Sequence, residues 1–499
     1  MPSSPLLVRW LSRTDNAQPA FRDPHGTTTW QDAIGNADRV AGRLLDGRRS
    51  LEGERVALLV SPGAAFVECL FGVWRAGGCA VVLSPLHPAP ETAYFCGDAG
   101  VRTVIASKDL CNQVAFLAPP IRVTTTDELL AYAGGRIASE PLAGDPALQL
   151  YTSGTTGKPK GAVLTHANLA AHQELLAEAW AWSDSDVLLH VLPLHHLHGL
   201  GIAMLSAIGA GAAVLFLGGF EARATWEAMS EATVFMAVPT IHAKLFAAFD
   251  QADDATKSRF SAGAHALRLI TSGSAALPVT VGERWRALTG AYPLERFGMT
   301  EIGVGMSNPL APEKRRPGTV GVPLRTVRTR IVADDGSDAD SGELWIAGPS
   351  VFAAYHGRPD ATRDAFVEQG GERWFKTGDT VSRGADGYLR VLGRTSVDIL
   401  KSGGYKLSAL EIEEALREHS AIAEVAVVGV PDETWGERVV ACVVARDGRD
   451  EECTEDKLRA FAKERLASYK VPKQVVAMKE LPRNAVGKVV KPELVKRLV

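Results

Sequence analysis

The apolar positions of this chain fall into short continuous runs separated by longer amphipathic stretches. Arg55-Val56-Ala57-Leu58-Leu59-Val60 has the length of a strand, Ala64 to Ala76 has helical spacing, and Cys79-Ala80-Val81-Val82-Leu83 is a second short run. Runs that are apolar on both faces suit strands covered by helices, and strand–helix–strand order sets successive strands parallel. Val234–Val238 and Leu267–Ile270 continue the rhythm, each followed by a turn rich in Pro, Ser or Gly. The pattern predicts an α/β fold whose large N-terminal domain stacks mostly parallel sheets with helices. After about residue 320 the pattern becomes hairpin-like, as in Gly342–Ile346, and Asp386-Gly387 is a tight-turn dipeptide between two strand-like pieces. The last hundred or so residues read as a small α+β domain, with helices over Ser408–His419 and Glu455–Leu466 and strands over Glu424–Val430 and Arg438–Val444. The boundary is placed at Gly393-Arg394, giving domains of 1–393 and 394–499.

One stretch, Leu200 to Phe220, carries no charge and is long enough to cross a bilayer. Gly209 and Gly211 divide it into a half that suits a buried helix and a half, Ala212 to Leu217, that suits a buried strand, so no membrane span is expected. The opening MPSSPLLVRWLSR is acid-poor with two arginines, a weak likeness to a transit peptide, but a short amphipathic helix of the domain itself is the favoured reading. A chain of 499 residues exceeds one core, which agrees with two domains. A net charge of −4 with scattered basic residues points away from nucleic acid and anionic membrane as partners. Six cysteines, none in a C-x-x-C pair and several in apolar runs, read as reduced core thiols of a cytoplasmic protein.

Candidate chemistry concentrates in Tyr151-Thr152-Ser153-Gly154-Thr155-Thr156-Gly157-Lys158-Pro159-Lys160-Gly161, between a predicted strand, Ala147–Tyr151, and a predicted helix from about Thr165 to Trp180. Glycines let backbone N–H groups approach an anion, hydroxyls donate to phosphate oxygens, and lysines supply positive charge. The Walker spacing is absent, and Pro159 stands where a Walker helix would begin. A solvated Gly/Ser linker is the alternative, and the two lysines argue against it.

This loop resembles the signature of the adenylate-forming enzymes: acyl-CoA synthetases, firefly-type luciferases and peptide-synthetase adenylation domains. Further segments are similar to family motifs in the same order: Leu192–Gly199 (LPLHHLHG), Ser272–Pro278 (SGSAALP), Glu295–Glu301 (ERFGMTE), Trp374–Asp379 (WFKTGD), Gly393-Arg394 and Pro482–Lys488 (PRNAVGK). Together with PGTVGVPL and KSGGYK they look most like the malonyl-CoA and methylmalonyl-CoA synthetases. The resemblance implies ATP, Mg²⁺ and coenzyme A as the reactants and cofactor, a small-molecule carboxylate as substrate, and a mobile C-terminal domain. It assigns Lys488 to the reacting carboxylate and α-phosphate, Glu301 to Mg²⁺, and Thr300 with Thr152, Ser153, Gly154, Thr155, Thr156, Gly157 and Lys160 to the phosphates. Ser274, Glu295, Phe297 and Gly298 fall in its nucleotide segments, and Asp379 and Arg394 are assigned to the ribose or phosphate. His196, Ser272, Met306 and Arg296 are assigned to the acyl pocket, Gly403, Gly404 and Tyr405 to the coenzyme A passage, and Ser396 to the hinge, where Thr395-Ser396-Val397 replaces the family's charged residue. Taken singly, Lys488, Glu301, Asp379 and Arg394 would each pass for an ordinary surface or turn residue. His195, His196 and His198 cluster, but no cysteine or carboxylate lies beside them, which disfavours a metal site; His195 and His198 also suit plain core positions.

Arg296 bears on the choice of acid. A buried arginine needs an anion, and a second carboxylate on the substrate would supply one with bidentate geometry. An internal pair with Glu295 is the alternative. The expected reaction is therefore malonate, or methylmalonate, with ATP and CoA to the acyl-CoA, AMP and pyrophosphate. Ligases for fatty or aryl acids, adenylation enzymes that load a carrier protein, and a non-catalytic ATP-binding module remain open at this point.

Overall fold

The computed structural model describes residues 3–133, 140–152, 158–403, 405–483 and 489–499. The chain divides into two compact units, one of residues 1–328 and 346–375, the other of 329–345 and 376–499. Residues 329–345 and 376–393, grouped with the large domain on sequence grounds, thus cluster with the smaller unit.

Two sheets build the first unit. In one, Arg55–Leu59 lies between Cys79–Val82 and Thr103–Ala106, with Pro146–Thr152 and Arg122–Thr125 outside them, all parallel. Lys160–Thr165 and then Ala354–Tyr355 extend it antiparallel at one edge. The other sheet has six parallel strands, from Leu294–Met299 through Leu269–Ser272, Val234–Ala237, Val187–His190 and Ala213–Phe216 to Pro19–Asp23, with antiparallel edges. The continuous apolar runs are strands buried on both faces, as the pattern requires. Leu200–Phe220 is a helix and then a strand: a π-helical turn, His198–Met204, leads into Leu205–Ala210 and then Ala213–Phe216. Among the described residues no helix is long and apolar enough to cross a membrane. Pro5–Leu11 is a helix of the core, capped by Ser4, with Trp10 stacked on Phe71 at 3.9 Å.

The helix after the phosphate loop stands where the sequence places it, His166–Ala179, opened by a reciprocal cap of Thr165 and Asn168. The structure adds a strand before it, Lys160–Thr165, paired antiparallel with Pro146–Thr152. The loop therefore joins two strands, and Thr152 and Lys160 stand opposite each other in register.

In the second unit the long strand Glu372–Arg383, from Asp379 onward, pairs antiparallel with Leu389–Arg394 across the Asp386-Gly387 turn. A further sheet carries Ile422–Asp432 and Gly436–Ala445 at its centre. Val425 and Val427 pack on one face with Ile412, Leu416, Leu458 and Ala462 of the helices Ala409–Arg417 and Glu455–Lys463. Ala426, Val428 and Val430 pack on the other with Leu494 of Lys491–Leu498. The predicted α+β character and elements hold, with ends shifted by a few residues.

Candidate active site

The residues expected at the acyl group centre on the strand Leu294–Met299. Side chains alternate along a strand, so Glu295 and Arg296 face opposite ways. Glu295 accepts from the Gly318 N–H at 2.8 Å. Arg296 is 4 % exposed, its Nε and Nη2 have no hydrogen-bond partner among the described residues, and no described carboxylate pairs with it. The internal pair with Glu295 is thereby removed. Burial lowers the guanidinium to about 10, so it remains a cation at neutral pH.

Beneath the guanidinium runs the turn that follows Leu269–Ser272. A Cβ on Gly273 would come within 2.4 Å of Arg296 Cζ, so only glycine admits this approach. Ser274 holds φ at +69°, a left-handed value that costs a non-glycine residue about 1 kcal/mol or more and tends to mark functional turns. Its hydroxyl bonds His198 Nδ1 at 3.3 Å. His198 is buried, and its Nε2, like Ser272 Oγ, has no partner among the described residues. Burial first, then nearby Arg296, drive His198 well below the ordinary histidine range, so it is a neutral imidazole beside a cation. An arginine and a histidine thus share one corner with donors to spare, whereas Ser272 stands opposite Glu295 in register and so shares the glutamate's face, away from Arg296.

His198 enters this corner from the π-helical turn, a distortion often found at functional sites. His196, expected in the acyl pocket, is exposed and packs against His195 with ring centroids 4.2 Å apart. Met306 is buried but stands opposite Phe297 in register, while Ser307 stands opposite Arg296, so Met306 shares Phe297's face. The structure does not bring Met306 to the Arg296 face.

The phosphate end gathers Thr152, Lys160, Thr300 and Glu301. The last two lie in the turn between Leu294–Met299 and Gly303–Ser307, Thr300 half-buried and Glu301 buried. Glu301 Oε1 accepts from the Tyr355 hydroxyl at 2.8 Å and from Thr152 Oγ1 at 3.5 Å, and Lys160 Nζ sits 5.3 Å over the Tyr355 ring. Among the described residues no three His, Cys, Asp or Glu side chains converge as a metal cage. One buried carboxylate beside the segment expected to bind phosphate nevertheless fits Mg²⁺, which takes most of its oxygens from phosphates and water. Phe297 and Gly298 continue the strand, half-buried. Ser153, Gly154, Thr155, Thr156 and Gly157 lie outside the described residues, as do Gly404 and Lys488.

In the second unit Asp379 is buried and opposite Arg394 in register, with Arg394 Nε 3.2 Å from Asp379 Oδ1 and Nη1 donating to the Thr377 carbonyl at 2.6 Å. The arginine thus holds the Asp379 carboxylate in place. Next, Thr395–Val397 forms a turn closed by the Val397 and Asp398 N–H groups donating to the Arg394 carbonyl, with Ser396 exposed on it. Asp398, missed in the sequence, ends the turn. It accepts from the Arg394 N–H at 3.0 Å and meets Lys491 Nζ at 2.5 Å, and Lys491 also meets Glu413 at 2.7 Å. Burial alone would lower Lys491, but Glu413 and Asp398 hold it above its ordinary value.

Gly403 has φ +58° and donates its N–H to the Trp435 carbonyl at 2.9 Å. Tyr405, 54 % exposed, stacks on Tyr469 at 4.4 Å, and Lys473 Nζ lies 4.4 Å over the Trp435 ring. Trp435, Tyr469 and Lys473, distant in sequence, add an exposed aromatic and cationic surface to the KSGGYK segment.

Residues 8–356 match the AMP-binding enzyme family, and residues 411–488 match the AMP-binding enzyme C-terminal domain. The chain belongs to the AMP-binding enzyme family. Its relatives in that family include the mitochondrial malonate–CoA ligase of Bos taurus, 39% identical across 99% of this chain and 90% of that protein. A malonate–CoA ligase of Arabidopsis thaliana is also 39% identical, across 91% of this chain and 79% of its own. Among solved structures, ATP-bound MatB from Rhodopseudomonas palustris superimposes with a TM-score of 0.89, at 31% identity and 99% coverage of both chains. The fold expected from the sequence is the fold of this family.

Proposed function

We propose that the chain is a malonate–CoA ligase, converting malonate, ATP and CoA to malonyl-CoA, AMP and pyrophosphate. The observation that carries the substrate is Arg296, a buried cation whose Nε and Nη2 lack partners among the described residues. A monocarboxylic acid would leave it unpaired, at a cost of several kcal/mol or so for a desolvated charge. The second carboxylate of malonate supplies a bidentate partner, with neutral His198 as a further donor. Three relatives of different organisms named malonate–CoA ligases, or solved with ATP under the name MatB, support the same reading.

In the first half-reaction a malonate carboxylate oxygen bonds to the α-phosphorus and the bond to pyrophosphate breaks. A carboxylic acid of pKa near ~4 is already ionised at neutral pH, so no base is needed, only alignment and charge stabilisation. Thr152, Thr300, Lys160 and the Ser153–Gly157 loop are assigned to the phosphates, Asp379 with Arg394 to the ribose, and Lys488 to the reacting carboxylate. Mg²⁺, held by Glu301, would neutralise charge on the phosphate oxygens. In the second half-reaction the CoA sulfur bonds to the acyl carbon, AMP leaves and the thiol proton is released. Gly403, Gly404 and Tyr405, with Trp435, Tyr469 and Lys473, are assigned to CoA, and Thr395–Val397 to the hinge between the half-reactions.

A panel of carboxylic acids, read as free acyl-CoA, tests this. Malonate, with methylmalonate second, should stimulate ATP–pyrophosphate exchange and thioester formation far more than octanoate or benzoate. Equal or greater turnover of octanoate would sink the assignment. Adenylation without thioester formation on free CoA would favour a carrier-protein acceptor.

A further inference from the structure

Tyr355 belongs to a segment that grips both sides of the phosphate end. Its main chain closes the sheet edge beside Lys160–Thr165: Tyr355 pairs with Ala162, the Ala353 N–H donates to the Val163 carbonyl at 3.0 Å, and the His356 N–H donates to the Gly161 carbonyl at 2.8 Å. Three residues before the tyrosine, the Phe352 N–H donates to the Glu301 carbonyl at 2.8 Å. The segment therefore fixes the backbone of the acidic turn and the backbone of the strand that carries Lys160. Tyr355 itself is held by its N–H to Thr362 Oγ1 at 3.0 Å and by the Phe352 ring at 4.8 Å.

With the backbone held, the side chain serves both charged groups. Its hydroxyl donates to Glu301 Oε1 at 2.8 Å, and its ring face lies 5.3 Å below Lys160 Nζ. A lysine and a carboxylate that both contact one tyrosine carry opposite charges, and in a direct ion pair each would cancel the charge the other needs for a ligand. A phenol offers the carboxylate a neutral donor and the ammonium a neutral π face, so both are oriented and neither is neutralised.

We propose that Tyr355 is a positioning residue that keeps Glu301 and Lys160 apart as two charged ligands, the first for Mg²⁺ and the second for the phosphates of ATP. The inference rests on the adenylation reading above. It is tested by binding alone, without malonate or CoA, so failure of the malonate assignment and failure of this inference are read separately.

Calorimetry of ATP binding across a Mg²⁺ series separates the two roles. Tyr355→Phe keeps the ring and loses the hydroxyl. It should raise the half-saturating Mg²⁺ about ten-fold, the scale of a lost outer-shell partner. Its affinity for ATP without Mg²⁺ should stay within about two-fold of wild type. Tyr355→Leu loses both contacts and should weaken ATP binding with and without Mg²⁺. In a Glu301→Gln background, Tyr355→Phe should change the Mg²⁺ dependence by less than about two-fold, because the hydroxyl acts through that carboxylate. Unchanged Mg²⁺ half-saturation in Tyr355→Phe overturns the proposal. So does an equal loss of Mg²⁺-free ATP binding, the mark of a merely structural tyrosine, or an undiminished effect in the Glu301→Gln background.

Discussion

Arg296 is a residue whose stability and usefulness conflict. The fold buries its guanidinium and leaves Nε and Nη2 without partners among the described residues, an arrangement that works against folding until an anion arrives. Arg296→Met should therefore stabilise the free enzyme by roughly 1–3 kcal/mol, read as a higher unfolding midpoint. The same change should raise the KM for malonate about a hundred-fold or more, with KM for ATP little changed. A lower midpoint together with an unchanged malonate KM would remove Arg296 from the substrate corner. At this scale the sequence is informative where a motif fixes the neighbours: ERFGMTE names Glu295, Arg296, Thr300 and Glu301, and strand alternation then separates the glutamate from the arginine. His198 is not legible in the same way. Three histidines within LPLHHLHG look alike until a π-helical turn buries one beside Arg296 and leaves His196 exposed. Tyr355 is hidden for another reason, since it meets Glu301 only through the fold.

Among elements, the helix Ala64–Arg75 carries the clearest pH-dependent term. Glu68 is buried in it, accepts from Asn36 Nδ2 at 2.7 Å, and is raised to about 7, chiefly by burial. The native state thus holds a proton that the unfolded chain releases near 4.5. The cost of Glu68 is absent below 4.5, grows between 4.5 and about 7, and is constant above that. Glu68→Gln should raise stability at pH 8 by roughly 1–3 kcal/mol and change it little at pH 4.5, measured by denaturant unfolding at both values. An equal gain at both would remove the titration as its cause. Most elements were readable because buried parallel strands are short, continuous and apolar. Lys160–Thr165 was not, because its apolar part, Ala162-Val163-Leu164, runs without a break into a capped helix and its pairing partner lies across a loop.

For the whole molecule, the proposed mechanism assigns the two half-reactions to different residues of the second unit. Lys488→Ala should abolish malonate-dependent pyrophosphate exchange by about a thousand-fold while leaving conversion of synthetic malonyl-adenylate to malonyl-CoA largely intact. Loss of both activities would contradict that division. The hinge assignment to Ser396 came from a departure from the family pattern, and the structure adds what the sequence could not: a turn bracketed by Arg394 and by Asp398, which Lys491 holds from near the chain's end.

The strand Ala354–Tyr355 joins the sheet beside Lys160–Thr165 although the chain between them supplies most of the other large sheet. On the ribosome, the phosphate hairpin, the acidic turn and Arg296 all emerge well before the segment that ties them together. A nascent chain, or a fragment ending before residue 350, would hold Thr152, Lys160, Thr300 and Glu301, the groups proposed for the phosphates and Mg²⁺, and still lack both the closure that orders them and the residues proposed for the ribose. Nucleotide binding would therefore switch on late in synthesis, and a truncated product would be poorly placed to sequester ATP.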